Sequence, residues 1–307
     1  MREFPRRFGT WLYDHLYWRW EAARHKGFLL LQRLGLSLVP NHFYSPVPDV
    51  AGLSDHLWSD APFKALRSSS VFCDSAFVEK ARLFRETYLG EYQEFSKARS
   101  ADGFFLFNGQ FQAVDAEVLY SFIRLLKPKR ILEVGSGYST LVMVEAAKRN
   151  PPCEIICVEP YPRTFLPKLS IRLIENPVQE VDDKIYDQLD RQDILSIDSS
   201  HMIKTGSDAV HLYLNIFPRL KPGVVIHIHD IFLPYEYPKA WLKEYDRFWN
   251  EQYFVGVILA FSDKFRVLWA SYLMHREYSG VLRNCFPSYP QAAYLHGPSS
   301  LWLEKLG

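Results

Sequence analysis

The 307-residue chain predicts an α/β fold: a seven-stranded, mostly parallel sheet with an antiparallel terminal hairpin, behind a helical N-terminal cap. Three observations carry this. From residue 115 onward, apolar runs of strand length alternate with amphipathic segments, the pattern of a parallel sheet covered on both faces. The runs at 254–260 and 265–271 are only four residues apart, too close for a parallel crossover, which needs a dozen or more. Residues 1–112 show helical periodicity without that alternation.

Taken in order, 10–25 read as a helix, with Leu12, Leu16 and Trp20 four apart and Trp11 and Trp18 seven apart, ended by Gly27. Arg2, Arg6, Arg7, Arg19, Arg24 and Lys26 would suit a membrane-surface helix, but Asp14 and Glu21 interrupt a clean separation of faces. A core or dimer-packing stripe is the simpler reading, and it leaves a homo-oligomer open. Four prolines between Pro40 and Pro62 mark a loop region. Phe77, Ala81, Phe84, Tyr88, Tyr92 and Phe95 then form one stripe of a long helix. Residues 98–112 are a second loop. The loops 43–48 and 108–111 are the expected contributors to a substrate pocket, which 1–112 would shape without forming an independent module.

Asp115 suits the N-cap of a helix whose face is Leu119, Phe122, Ile123 and Leu126, stopped at Lys127-Pro128. Parallel strands follow at 130–134, 154–158, 171–174, 194–197 and 224–229. Helices are expected at 140–149, 182–189 and 208–217, the last with Val210, Tyr213, Leu214 and Phe217 on one face, and near 239–250. The domain boundaries implied are 1–112 for the cap, 113–272 for the sheet domain and 273–307 for a C-terminal extension.

Composition narrows the function. Lys plus Arg is 36 against 35 for Asp plus Glu, a net charge of +1, which gives no electrostatic footprint for nucleic acid. The longest apolar run, 253–261, is far short of the ~20 residues of a transmembrane segment. Asp14, His15 and Arg19 break any signal-peptide core. Cys73, Cys153, Cys157 and Cys285 are too few and scattered for a disulfide framework. A cytoplasmic, reducing location is the expectation.

The chemistry concentrates at strand ends. Residues 131–140 run from a strand through Gly135-Ser136-Gly137 into a helix. Glu133 precedes the turn, and Glu159 stands at the end of the next strand, where a carboxylate can accept from both hydroxyls of a ribose. A dinucleotide fingerprint would place glycine at 140, but the residue is Thr140. This tilts the reading from NAD to S-adenosylmethionine, which has no pyrophosphate to seat. Asp198 and Asp230 end the fourth and fifth strands, with His201 and His229 close in sequence. Strand ends of this kind line the ligand crevice of an open α/β sheet. The set fits either a divalent-cation site with an adjacent base or a metal-free acid–base site. His227 reads as a core histidine.

Glu133-Val134-Gly135-Ser136-Gly137, Val158-Glu159-Pro160, Ile197-Asp198-Ser199-Ser200-His201 and 220–230, ending His227-Ile228-His229-Asp230, resemble a class I S-adenosylmethionine-dependent methyltransferase. The nearest group is the bacterial O-methyltransferase-like one, with its cephalosporin hydroxylase-like and macrocin O-methyltransferase-like members. The resemblance covers roughly 105–272 and implies a Rossmann-like fold. It also implies that Glu133, Gly135, Ser136, Gly137 and Tyr138 hold the methionine part of the cofactor and that Glu159 holds the ribose. Val178, Gln179 and Asp198 complete the cofactor set, with Pro177 standing where the family often has an acid for adenine. Asp198, His201 and Asp230 are the catalytic candidates, His201 as general base. Asp198 and Asp230 are the candidate ligands of Mg²⁺; Ile231, next to the last acid, cannot ligate through its side chain. The implied activity is O-methylation of a small-molecule or sugar hydroxyl. A non-catalytic cofactor- or partner-binding protein on the same fold is the alternative. An NAD-linked sugar-modifying enzyme lacks the glycine at 140 and a Tyr-x-x-x-Lys pair.

Overall fold

A computed structural model describes residues 25–39, 44–59, 62–95, 97, 103–289 and 296–307. The chain forms two compact units, Met1–Leu53 and Ser54–Gly307. In the first, residues 25–33 are helical. The helix runs through Gly27 rather than ending there, because glycine in an exposed helix costs only ~1 kcal/mol. The expected 10–25 helix and its Trp11–Trp20 stripe lie outside the described residues, except for His25.

The second unit is built on one sheet. Its strands are β1 (Arg130–Val134), β2 (Glu154–Val158), β3 (Arg172–Ile174), β4 (Ile194–Ile197), β5 (Val225–Ile228), β6 (Phe265–Ala270) and β7 (Leu301–Lys305). Their order is β3-β2-β1-β4-β5-β7-β6. The first five are parallel, and β7 runs antiparallel to both β5 and β6. Strand order reverses between β1 and β4, the switch point where such sheets bind ligands. Val134 pairs with Ile197 and Ile197 with Ile228, so the carboxyl ends of β1, β4 and β5 stand level.

The sheet is mostly parallel with an antiparallel end, as expected, but the end is assembled differently. Residues expected as the first hairpin strand are helical, within Glu251–Phe261. Val255 and Leu259 face the core four residues apart, while Val257 and Phe261 are exposed. A continuous apolar run carries no period to separate strand from helix. The missing strand comes from the C-terminal segment instead. β7 enters between β5 and β6, where Trp302 is fully buried and stacks on Phe122 at 4.0 Å and His227 at 4.6 Å. A boundary at 272/273 would therefore cut through the sheet.

The boundary at 112/113 is no border of the compact unit either. Helix α1 (Asp74–Tyr92) buries Phe77, Ala81, Phe84, Tyr88 and Tyr92. Phe84 meets Phe122 edge-on at 5.2 Å, and the Tyr92 hydroxyl donates to the Cys285 carbonyl at 2.8 Å. The stripe finds its partner surface in the sheet's own helices, α2 (Asp115–Leu126) and α7 (Ser279–Cys285).

Three further expectations shift. Val114, at φ +68°, is the N-cap of α2; Asp115 is the first helical residue and is buried. Its carboxylate is taken by three donors elsewhere, Ser271 Oγ and the Ser299 and Ser300 amides, at 2.7–3.0 Å. The 208–217 segment starts as α4 (Asp208–His211), then widens into a π turn over Leu212–Ile216. That change of phase buries Leu212 and Ile216 and leaves Leu214 exposed. The helix expected near 239–250 is only Lys239–Lys243. Helices α3 (Tyr138–Ala147), α5 (Glu251–Phe261) and α6 (Ser271–Glu277) complete the set used below.

Candidate active site

The turn after β1 is fixed by glycine at one position and left open at another. Gly135 has φ +80°, and a Cβ there would fall 1.8 Å from the Asp198 carbonyl oxygen, so no side chain fits between β1 and the end of β4. Gly137 is extended, and a Cβ on it would meet nothing within 4 Å. Its openness faces a cavity of about 460 Å³ that runs over the strand ends.

Glu133 lies beneath this turn rather than in the cavity. It is fully buried and accepts from Ser139 Oγ at 2.5 Å and Thr140 Oγ1 at 2.6 Å, with Cys157 Sγ at 3.5 Å. Burial, only partly offset by these hydrogen bonds, pushes its pKa up to about 7. Its place is to hold the turn, in contrast to the direct cofactor contact that the resemblance implied. Thr140 accepts from the Gly137 amide at 3.0 Å, so the hydroxyl that replaces the fingerprint's glycine ties the turn to Glu133.

Glu159 follows β2. One carboxylate oxygen accepts from the Ser136 amide at 3.1 Å, the other from the Tyr161 amide at 2.8 Å. It borders both the first cavity and a second of about 610 Å³. Val178, Gln179, Ser200 and Asp208 line the second, and Gly135, Asp198 and Ser199 are shared with the first. Gln179 is tied to the Gly206 carbonyl at 2.9 Å. Ser136 and Tyr138 line the first cavity, where the Arg163 guanidinium covers the Tyr138 ring at 5.1 Å.

Asp198, His201 and Asp230 converge, offering one ligand atom each within 4.8 Å of one another. His201 Nε2 is 3.3 Å from Asp198 and 3.8 Å from Asp230. Both His201 (φ +58°) and Asp230 (φ +56°) occupy the left-handed region, which costs non-glycine residues ~1–3 kcal/mol and collects at functional sites. His229 Nδ1 is 3.4 Å from Asp198, and its Nε2 is 3.7 Å from Asp115.

Two participants were not legible in the sequence. Glu251, fully buried at the start of α5, accepts from His201 Nδ1 at 2.8 Å, and the Tyr213 hydroxyl donates to its other oxygen at 2.8 Å. Trp249 packs on the His201 ring at 4.2 Å. No motif signals either; both come from a segment whose helix boundaries were displaced.

The cluster's charges are strongly coupled. Burial would lower the His201 pKa, but its hydrogen bonds to Asp198 and Glu251 outweigh that and raise it to about 10. His229 is likewise raised against burial, by the charges of Asp230 and Asp198. Burial opposes ionisation of Asp198, yet the two histidines hold its pKa well below the usual range. His227 is a core histidine, bonded to Ser196 and Ser300 at 2.9 and 3.0 Å and lowered to about 3 by burial.

Of the expected pocket loops, Gly109, Gln110 and Phe111 line the cavity. Asn108 holds their turn, donating to the Phe105 and Phe111 carbonyls and accepting from the Gln110 and Phe111 amides. Phe43 lies outside the described residues, and residues 44–48 belong to the other unit.

Residues 132–231 match the model of a methyltransferase-domain family. An uncharacterized protein of Archaeoglobus fulgidus is 28% identical over 171 residues, 52% of this chain and 76% of that protein. Among solved structures, the O-methyltransferase TomG of Streptomyces achromogenes, involved in tomaymycin synthesis and in complex with S-adenosylmethionine, is 14% identical. Its TM-score is 0.40, covering 83% of this chain and 100% of that one. An O-methyltransferase of Bacillus cereus in complex with S-adenosylhomocysteine is 11% identical with a TM-score of 0.39, over 83% and 100% of the two chains. The stretch that resembles a methyltransferase domain thus holds the glycine turn, Glu159 and the Asp198–His201–Asp230 cluster at the point where the strand order reverses.

Proposed function

We propose that the protein transfers a methyl group from S-adenosylmethionine to a hydroxyl of a small-molecule or carbohydrate acceptor. The observation that carries this is the meeting of the open Gly137 turn, Glu159 and the Asp198–His201–Asp230 cluster in one cavity.

The residues fit the cofactor. Gly137 leaves a seat that any Cβ would narrow, and Ser199 Oγ is buried between the two cavities with no hydrogen-bond partner. Glu159 would hold the ribose hydroxyls, its geometry set by the Ser136 and Tyr161 amides. Val178 and Gln179 would flank the base. The bound cofactor supplies an electrophilic methyl group on a sulfonium, so the protein's task is to orient the acceptor and manage its proton.

Asp198 and Asp230 would accept the acceptor's O–H, and His201 would take its proton at Nε2, the nitrogen that Glu251 leaves facing the acids. With a pKa near 10, His201 is charged at neutral pH in the absence of a cation. A divalent cation on Asp198, His201 and Asp230 would be the alternative to that base: it would take Nε2 as a ligand in place of the proton and lower the acceptor's own pKa, so that the acceptor's proton would be released to solvent. The donor set of two carboxylates and one imidazole suits Mn²⁺ as well as Mg²⁺.

The test is an acceptor screen with isotopically labelled methyl donor, reading S-adenosylhomocysteine formation, preceded by calorimetry with S-adenosylhomocysteine. Tight binding and acceptor-dependent turnover support the reading. Binding with no turnover on any acceptor, with or without Mg²⁺ and Mn²⁺, points to a non-catalytic binder, and absence of binding overturns it.

A further inference from the structure

Beyond the cluster, the cavity wall continues through Trp241, Tyr245, Arg247, Trp249 and His296. Arg247 is exposed, and its guanidinium lies over three rings: 5.0 Å from Trp241, 5.5 Å from Trp249 and 6.0 Å from Tyr245. It forms no ion pair among the described residues. The Trp241 indole N–H is buried in the same wall without a hydrogen-bond partner. Trp249 bridges this wall to the cluster, with the His201 ring on it at 4.2 Å.

We propose that this wall is a subsite for an anionic group on the acceptor. The acceptor would then be a hydroxyl-bearing ring with a carboxylate or phosphate, not a neutral compound. The inference rests on the methyltransferase reading for the word acceptor, but the subsite stands on its own geometry.

The physical argument is one of polarity. The floor of the cavity is acidic, with Asp115, Glu159, Asp198 and Asp230 along it. An anion is repelled there and attracted only where a cation is unspent. Arg247 is that cation, held by ring stacking in a posture whose N–H fork remains free, and a guanidinium fork matches carboxylate and phosphate geometry. The exposed Tyr245 ring and the half-buried Trp249 indole beside it suit the apolar face of a ring. A ring seated against Trp249 with its anion at Arg247 is thereby aligned, so that a hydroxyl elsewhere on it can reach the Asp198–His201–Asp230 cluster. The wall thus sets which end of the acceptor enters.

The experiment is calorimetry on the full chain saturated with S-adenosylhomocysteine, using two matched pairs of probes. These are p-nitrophenyl β-D-glucuronide against p-nitrophenyl β-D-glucoside, and glucose 6-phosphate against glucose. The expected result is at least tenfold tighter binding of the charged member of one pair, and which pair responds tells carboxylate from phosphate. Arg247→Gln should erase the preference, and Arg247→Lys should restore part of it. Both variants should keep the melting temperature and the S-adenosylhomocysteine affinity. Equal binding within both pairs, no binding of any probe, or a preference that survives Arg247→Gln would overturn the subsite. Absence of S-adenosylhomocysteine binding would instead overturn the methyltransferase reading, and the probe pairs would then be measured without it.

Discussion

Glu251 holds His201 from behind: its carboxylate accepts from Nδ1 at 2.8 Å, so Nε2 is the nitrogen turned to Asp198 and Asp230. The same carboxylate receives the Tyr213 hydroxyl, which anchors it from the π turn of α4. A carboxylate–imidazole pair of this kind sets both the tautomer and the proton affinity of the ring.

Replacing Glu251 with glutamine keeps the shape and removes the charge. In chelated, metal-free protein, NMR titration should find wild-type His201 protonated up to about pH 10. In Glu251→Gln its pKa should fall toward the ordinary value near 6.5. Because the folded pKa is raised, the stability that His201 contributes is fully present below pH 6.5 and is lost as pH rises through 10. The variant should therefore lose less stability than the wild type between pH 8 and 10. An unshifted imidazole in the variant would show that Glu251 does not govern it.

The two glycines of the turn should behave oppositely. Gly135→Ala forces a Cβ into the Asp198 carbonyl at a φ of +80°, and strain and overlap together should cost at least about 2–4 kcal/mol. Gly137→Ala meets no atom within 4 Å and has extended backbone, so it should fold with nearly unchanged stability. Its methyl would occupy the cofactor's seat, and S-adenosylhomocysteine affinity should drop tenfold or more. Thermal melts separate the first effect and calorimetry the second. A Gly137→Ala protein with wild-type affinity would remove that position from the site.

Glu133 gives a pH signature of the same sign as His201, but in a lower window. Its folded pKa of about 7 lies above the ordinary carboxylate value of 4.5, because burial disfavours its charge. Between those values the native state keeps a proton that the unfolded chain has released, so stability falls as pH rises from about 4.5 through 7. Glu133→Gln cannot ionise. Relative to the variant, the wild type should lose up to about 3 kcal/mol across that window. Denaturant unfolding at pH 4.5, 6 and 8 measures this. A wild-type-to-variant difference that stays constant with pH would mean the carboxyl is not protonated in the fold.

The parts legible in the sequence are those whose signal is local. β1, β2 and β4 begin and end where their apolar runs do. Asp198, His201 and Asp230 could be singled out because chain position relative to a parallel strand's end determines which crevice a residue overlooks. What escaped depends on distant partners. The Glu133 carboxylate turns inward because Ser139 and Thr140 offer hydroxyls there, and spacing alone does not show direction. Leu301–Lys305 is as long as β1 and β2, but its place is decided by pairing with the distant β5 and β6, where Leu301, Trp302 and Leu303 are buried. Glu251 sits at the start of a helix whose unbroken apolar face hid its period, so its meeting with His201, 50 residues earlier, had no local trace.

The last prediction concerns the cation. Asp198, His201 and Asp230 lie close enough to share one ion, and the surrounding acids, Asp115 and Glu251 among them, leave the cluster short of positive charge unless both histidines are protonated. A divalent cation would compete with those protons, so its affinity should rise steeply with pH. Mn²⁺ binding followed by electron paramagnetic resonance should show one site per chain, stronger at pH 8.5 than at pH 6.5 and lost in Asp230→Asn. Turnover with the right acceptor should then be abolished by chelator and restored by Mn²⁺ or Mg²⁺. The other mechanism makes a separate forecast. Without a cation, turnover survives chelator, rises with pH toward the His201 pKa, and falls about 10²–10⁴-fold in His201→Ala. If turnover is indifferent to chelator and to His201→Ala alike, the cluster does not handle the acceptor's proton, and the chemistry rests on the positioning of the two substrates alone.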